Sequence, residues 1–176
     1  MKMRLRQSDE LYYENVASFW GRLAVVLFFG LSILFIILFF YQRHYGPIGG
    51  DDSAPGWFYI IMFGFFLAME LLVINFYSLT ISITTEGVTA AYGLFRRHIP
   101  WDNVAGYELD RGSALWRYGG YGIRIDWRKS GAMLVYNTMH SSLIVLELRS
   151  SRGYRYFGFS TRHPDEVMAL IEGNTG

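Results

Sequence analysis

The chain has 176 residues, 52% of them hydrophobic and 18% aromatic, which suffices for one modest domain plus membrane segments but not for two large soluble domains. A net charge of +1 excludes a polyelectrolyte that grips nucleic acid by neutralising phosphates, so no nucleic-acid partner is expected. Without cysteine there is no disulfide, iron–sulfur cluster, cysteine zinc site or thiol nucleophile.

Residues 1–18 form a polar N-terminal segment carrying Lys2, Arg4 and Arg6. Residues 19–41 (FWGRLAVVLFFGLSILFIILFFY) are apolar on every face with Arg22 their only charge, and a run of about 20 such residues spans a bilayer. No small-residue cleavage site follows a short apolar core, so this segment is expected to stay as an anchor. Residues 42–55 make a connecting loop, and residues 56–79 (GWFYIIMFGFFLAMELLVINFYSL) a second span, interrupted by Glu70 and Asn75. A soluble helix pair would show a polar face over such a length. Basic residues flank the pair before the first span and again at Arg96 and Arg97, whereas the loop has only Arg43 among its Lys and Arg positions. That bias predicts a plasma (inner) membrane protein with both ends cytoplasmic and the loop outside. Trp20, Tyr41, Tyr45, Trp57, Tyr59 and Tyr77 fall at the boundaries, where amphipathic rings are favoured.

An ionisable group inside a span costs a few kcal/mol or more unless paired, hydrated or neutralised, which singles out Glu70. In an antiparallel helix hairpin Glu70 is expected level with Phe28, leaving Arg22 about 9 Å nearer the cytoplasm at 1.5 Å per residue. Side chains lean toward their own helix N-terminus, so the two lean apart and an internal ion pair is disfavoured. Arg22 is expected to snorkel or to meet Asn75 or Tyr77. Glu70 is left with a local bond as a neutral acid, for instance to Ser32, a polar group on another chain, or proton and ion handling, for which two spans are few. The candidate intramembrane contacts are Glu70, Asn75, Arg22 and Ser32, and the partners they suggest are another membrane protein or a second copy. The small residues Gly30, Gly64 and Ala68 allow close helix approach without a strict G-x-x-x-G spacing.

From residue 80 to 176 the period changes. LTISIT, GVTAAYG, FRRHIP, NVAGYEL, GIRIDW, AMLVYNT, LIVLELR and YRYFGFS are short β-branched and aromatic runs, separated by turn signals such as TEG, DRG, KSG and SSRG. Seven or eight strands at that spacing predict a small antiparallel barrel or sandwich. HPDEVMALIEG then reads as one amphipathic helix, with Pro164 at its start and Gly173 as its stop.

The succession ITTEGVTAAYGLFRRHIPWDNVAGYEL, RYGGYGIRI and SSRGYRYFGFSTRHPDEVMALI, from about residue 78 to 173, resembles the pleckstrin-homology (PH-like) domains of small bacterial and archaeal membrane proteins. With the two spans read above, the resemblance gives the expected fold: a two-helix transmembrane hairpin followed by a mainly antiparallel PH-like β-barrel with one C-terminal helix. Pro100, Trp101, Gly120 and Gly122 would then be architectural, and no catalytic residue is implied.

RYGGYG lacks the spacing and the lysine of a phosphate loop. His44, His98, His140 and His163 are scattered, and no nucleophile elbow or triad can be assembled. No catalytic, cofactor or metal residue is therefore expected. A basic and aromatic series remains: Arg96, Arg97, Trp116, Arg117, Tyr121, Arg124 and Lys129 are the candidate headgroup or partner surface, with Arg111, Trp127 and Arg128 nearby. Glu86, Asp102, Glu108, Asp110 and Asp126 are threaded among them, which equally permits cross-strand ion pairs. The expected function is a non-enzymatic accessory or scaffolding protein that binds a partner membrane protein or itself. The alternative is a membrane-anchored PH-like module that binds anionic lipid; an enzyme acting on a lipid stands third.

Overall fold

The computed structural model describes residues 10–47, 50, 54–110, 122–128, 131–138, 142–150 and 153–175. The chain divides into two units, Ala17–Tyr77 and a second made of Met1–Val16 with Ser78–Gly176.

The first unit is a helix pair, α1 (Phe19–Tyr45) and α2 (Gly56–Phe76), each long and apolar enough to cross a membrane. Ser18 caps α1, its Oγ accepting from Gly21 N at 3.2 Å. The helix runs to Tyr45, beyond the expected boundary at 41, because its polar last turn finds partners. Gln42 Nε2 donates to Ala54 O at 2.9 Å, and Gly46, at φ +97°, returns its N–H to Gln42 O. Among the less exposed positions are Gly21, Val25, Phe28, Ser32, Phe35, Phe39 and Gln42 on α1, and Tyr59, Phe63, Phe66, Glu70 and Val73 on α2 with Tyr77 at its end. Their alternating spacings of three and four mark a seam on which the helices pack, as in a coiled coil. Phe66 stacks on Phe28 and Phe35 (6.2 and 5.4 Å between ring centres), and Ser18 N donates to Tyr77 O at 2.9 Å.

In the second unit, β1 (Glu10–Ala17), β2 (Ser78–Thr84), β3 (Gly87–Tyr92) and β4 (Phe95–Pro100) form one sheet in that order. After a 3-10 turn at Trp101–Asn103 come β5 (Val104–Asp110), β6 (Gly122–Arg128), β7 (Gly131–Asn137), β8 (Ser142–Leu148) and β9 (Tyr156–Thr161), in the order β5-β8-β9-β7-β6. A C-terminal helix, α3 (Pro164–Thr175), follows. The pairings β2–β3, β3–β4, β5–β8, β6–β7 and β8–β9 are antiparallel, whereas β9 lies parallel to β7. The expected closed barrel is corrected: there are two sheets, of four and five strands, and they do not close on each other. Instead of continuing the meander, β8 leaves β7 to pair with β5, and β9 then fills the place between them. β4 and β6 are left at the sheet ends.

Leu79, Ile81 and Ile83 alternate into the core from β2, as do Val88, Ala90 and Tyr92 from β3. Tyr92 stacks on Tyr136 at 6.1 Å, and Tyr136 on Phe157 at 5.6 Å, so the aromatic core lies between the two sheets. Each such large side chain removed from water is worth about 1.5–3 kcal/mol. α3 turns Val167 and Ile171 inward and packs against β5 and β8. Most polar groups in this core are paired: Tyr92 OH donates to Asn137 O (2.6 Å) and Ser160 Oγ to Asn137 Oδ1 (2.7 Å), whereas the buried Thr138 Oγ1 has no partner among the described residues.

Residues 10–17, expected within a separate N-terminal segment, instead supply β1. The strand is hard to see because its inward residues are Tyr12, Glu14 and Val16, so a carboxylate sits where an apolar residue would announce the period. Glu14 is only 8% exposed and fully engaged. Its Oε2 accepts from Thr161 Oγ1 (2.6 Å) and Tyr12 OH (2.9 Å), and its Oε1 from Arg162 N (3.0 Å). Strand β1 is thereby tied to the segment that enters α3.

Candidate functional site

Strand alternation decides where the basic series points. On β4, Arg97 faces the same side as Ile99 and Phe95, opposite Ala90, Val88 and Tyr92 of the core-facing side of β3. Arg96 and His98 face the other side, and His98 Nδ1 lies 2.9 Å from Thr89 Oγ1. Arg124 of β6 stands opposite Val135, on the side of the second sheet that carries the buried cluster Met133, Val135, Leu143 and Val145. Arg96, Arg97 and Arg124 thus occupy three separate surfaces and are not brought together. Trp116, Arg117, Tyr121 and Lys129 lie outside the described residues.

What the fold does assemble is a groove of about 560 Å3 in the β-unit. Trp127, Ala132 and Leu148 give it apolar walls, while Glu147, Arg149, Tyr154 and Arg155 give it polar ones. Trp127 is 78% exposed, because β6 is the last strand of its sheet and carries its inward-facing side chain past the end of the core. Arg155 donates through both Nε (3.1 Å) and Nη2 (2.7 Å) to Glu147 Oε1, and its guanidinium lies 5.8 Å from the Tyr156 ring centre. The carboxylate raises the already high pKa of Arg155 further. Arg97 joins the rim from the other sheet: its Nε donates to Tyr154 OH, and its guanidinium lies 5.3 Å from that ring's centre. Burial raises the pKa of the Tyr136 phenol, and the charge of Arg97 opposes that rise. The Arg149 side chain has no bonded partner among the described residues; its backbone N–H alone is engaged, with Asn103 O at 2.9 Å.

Such a site can bind, and Glu147, the one carboxylate among the described residues that line it, is held by Arg155. The series was legible only in part. Arg97 and Trp127 were within the basic and aromatic series read from sequence, whereas Arg149, Tyr154 and Arg155 were missed, because distant loops and strand ends supply them. A signal was available in GIRIDW, where Ile123, Ile125 and Trp127 alternate on one face of a strand.

In the helix unit, the stacking of Phe66 on Phe28 and Phe35, the Ser18–Tyr77 bond and the close approach of Gly21 to Tyr77 bring Glu70 to a level between Ala24 and the expected Phe28. Its axial offset from Arg22 is therefore about 3–9 Å. No ion pair forms even so: Glu70 lies on the seam, whereas Arg22 is exposed and lines a groove of about 410 Å3 with Val25, Ile74 and Tyr77. Ser32, the expected local partner, is about one to two turns away and donates to Phe28 O at 2.9 Å. Asn75 is half-buried in the last turn of α2. Glu70 is thus half-buried at the seam between the two helices, whereas Gly30, Gly64 and Ala68 share the outward surface with large apolar residues.

No family model, curated protein or solved structure matches the chain.

Proposed function

We propose that this is a non-enzymatic, two-span integral membrane protein that serves as an accessory or scaffolding subunit, binding a partner membrane protein or a second copy of itself. The observation that carries the reading is the groove in which exposed Trp127 stands beside Tyr154, Arg149 and the Arg97–Tyr154 pair. Trp, Tyr and Arg supply most of the binding energy at protein interfaces, and a concave, mixed-polarity surface suits an anchoring side chain from a partner. The charge bias around the spans supports a plasma (inner) membrane location with the β-unit in the cytoplasm. A PH-like assignment of that unit stays part of the proposal. Two packed sheets and a C-terminal helix support it, while the parallel β7–β9 pair and the extra strand β1 depart from a seven-strand antiparallel pattern.

A photo-crosslinking amino acid placed at Trp127 in cells tests this. The expected result is one protein adduct of defined mass, from a partner or a second copy, that is lost when Arg149→Glu is added. Adducts to lipid alone, or to no protein, overturn it. The dispersal of Arg96, Arg97 and Arg124 over three surfaces weighs against the alternative of one lipid-headgroup site built from that series.

A further inference from the structure

The turn between β3 and β4 has two central residues, Gly93 and Leu94, closed by the Tyr92–Phe95 pair. Gly93 has φ +49° and no non-glycine residue among those described has positive φ, so glycine occupies the first central position, as in a type II′ turn. That geometry explains the glycine. It places no demand for an apolar residue at the second position, yet Leu94 is 91% exposed and the adjoining Phe95 is 51% exposed. Arg96 follows, exposed, with no bonded side-chain partner among the described residues.

Sheet register fixes which end of the sheet this tip occupies. Leu79, near the start of β2, pairs with Tyr92, and Tyr92 pairs with Phe95. Asn15 Nδ2 donates to Thr80 Oγ1, which sets the end of β1 beside the start of β2. The tip therefore lies at the end of the sheet where the chain passes into α1 and α2, and one residue on each side, Ser18 and Tyr77, makes the passage. One residue reaches at most about 3.5 Å, and β4 is two strand spacings, about 10 Å, from β2. The opposite end of β3, with the exposed turn residues Thr85 and Glu86, is about 20 Å away.

We propose that the β3–β4 tip enters the interface of the bilayer that α1 and α2 cross, with Leu94 and Phe95 at the acyl boundary and the Arg96 guanidinium on lipid phosphates. An apolar tip followed by cations matches an anionic membrane surface in both hydrophobicity and charge. A protein partner for the tip would need no such placement at the helix end of the sheet. The inference rests on the membrane-spanning reading and is independent of the partner-binding groove.

The absence of cysteine makes the test direct, because any introduced cysteine is unique. Leu94→Cys, Glu86→Cys and Phe29→Cys variants of the full chain, each carrying an environment-sensitive fluorophore, are placed in nanodiscs of phosphatidylcholine and phosphatidylglycerol containing a nitroxide-bearing lipid. Phe29 lies on the outward surface of α1 and reports the bilayer; Glu86 reports the far end of the sheet. The expected result is loss of emission at 29 and 94 but not at 86, with the loss at 94 reduced by Arg96→Glu or by omitting phosphatidylglycerol. Quenching at 29 alone overturns the tip and leaves the spanning helices standing. Equal quenching at 86 and 94 also overturns it, since the sheet would then lie flat on the surface. Quenching at none overturns both.

Discussion

Replacing Glu14 by alanine removes a carboxylate that joins the strand before α1 to the chain entering α3. The three bonds it accepts come from Thr161 Oγ1, Tyr12 OH and Arg162 N. Hydrogen bonds to a charged group are each worth about 1.5–3 kcal/mol, but burying the carboxylate costs several kcal/mol, so the gross sum is not the effect. The net loss is better counted from what is stranded. Thr161 is fully buried and loses its acceptor, and the Arg162 N–H loses its own, at about 1–3 kcal/mol each. Tyr12 OH, 3.5 Å from Thr161 Oγ1, keeps an alternative. A destabilisation of about 2–4 kcal/mol follows, which at about 4 °C per kcal/mol lowers Tm by about 8–16 °C. Glu14→Gln retains an oxygen for Arg162 N, and hydroxyls can turn to accept from its amide, so its cost is about 1 kcal/mol. Thermal unfolding followed by tryptophan fluorescence in mild detergent measures both. An alanine variant melting within about 2 °C of the parent would refute the reasoning, because three bonds to a buried acid cannot be lost that cheaply unless the site is wet.

Glu70→Leu is expected to leave the native mass of the complex unchanged and to raise the melting temperature of the helix pair, since it removes a carboxyl from an apolar seam; loss of a partner in the Leu but not the Gln variant would show instead that the carboxyl contacts another chain. At Gly21 an added Cβ would stand 2.8 Å from Tyr77 Cβ, so Gly21→Val is expected to part the helices there and cost about 1–3 kcal/mol, and an unchanged melting curve would refute that close approach. Burial, chiefly, pushes the Tyr12 phenol up to about 12, with the Thr161 bond opposing and Glu14 adding to the rise. The unfolded chain thus releases this proton first, so the group costs nothing below pH 10 and stability falls as pH rises from about 10 toward 12; Tyr12→Phe should flatten that slope in alkaline melts, and an unaltered slope would refute it.

Features governed by local period were open to sequence reading. Both apolar helices, the strands from Ser78 onward and the helix beginning at Pro164 each carry their signal in consecutive residues. Strand β1 was hidden because its central inward residue is Glu14, whose acceptability depends on Thr161 and Arg162 almost 150 positions away. The parallel placement of β9 beside β7 was hidden for a related reason: each strand's pattern is satisfied by either neighbour, and only the packing of both sheets decides between them.

The same distinction explains the candidate sites. Composition identified Arg96 and Arg97 as one pair, whereas a strand necessarily sends consecutive residues to opposite faces. The fold gives Arg97 to Tyr154 and the groove, and Arg96 to the surface beside Leu94, so neighbours in sequence serve two different surfaces. For Glu70 the residue type alone marked an anomaly, but which face of α2 it occupies follows from the three-and-four spacing of Tyr59, Phe63, Phe66, Val73 and Tyr77, a pattern already present in the sequence. Applied there, that spacing places the acid on the seam with α1 and leaves an outward helix surface that carries Arg22 among large apolar residues. In the proposed partner-binding role, polar specificity then falls chiefly to the β-unit, where Trp127, Tyr154 and Arg149 line one groove.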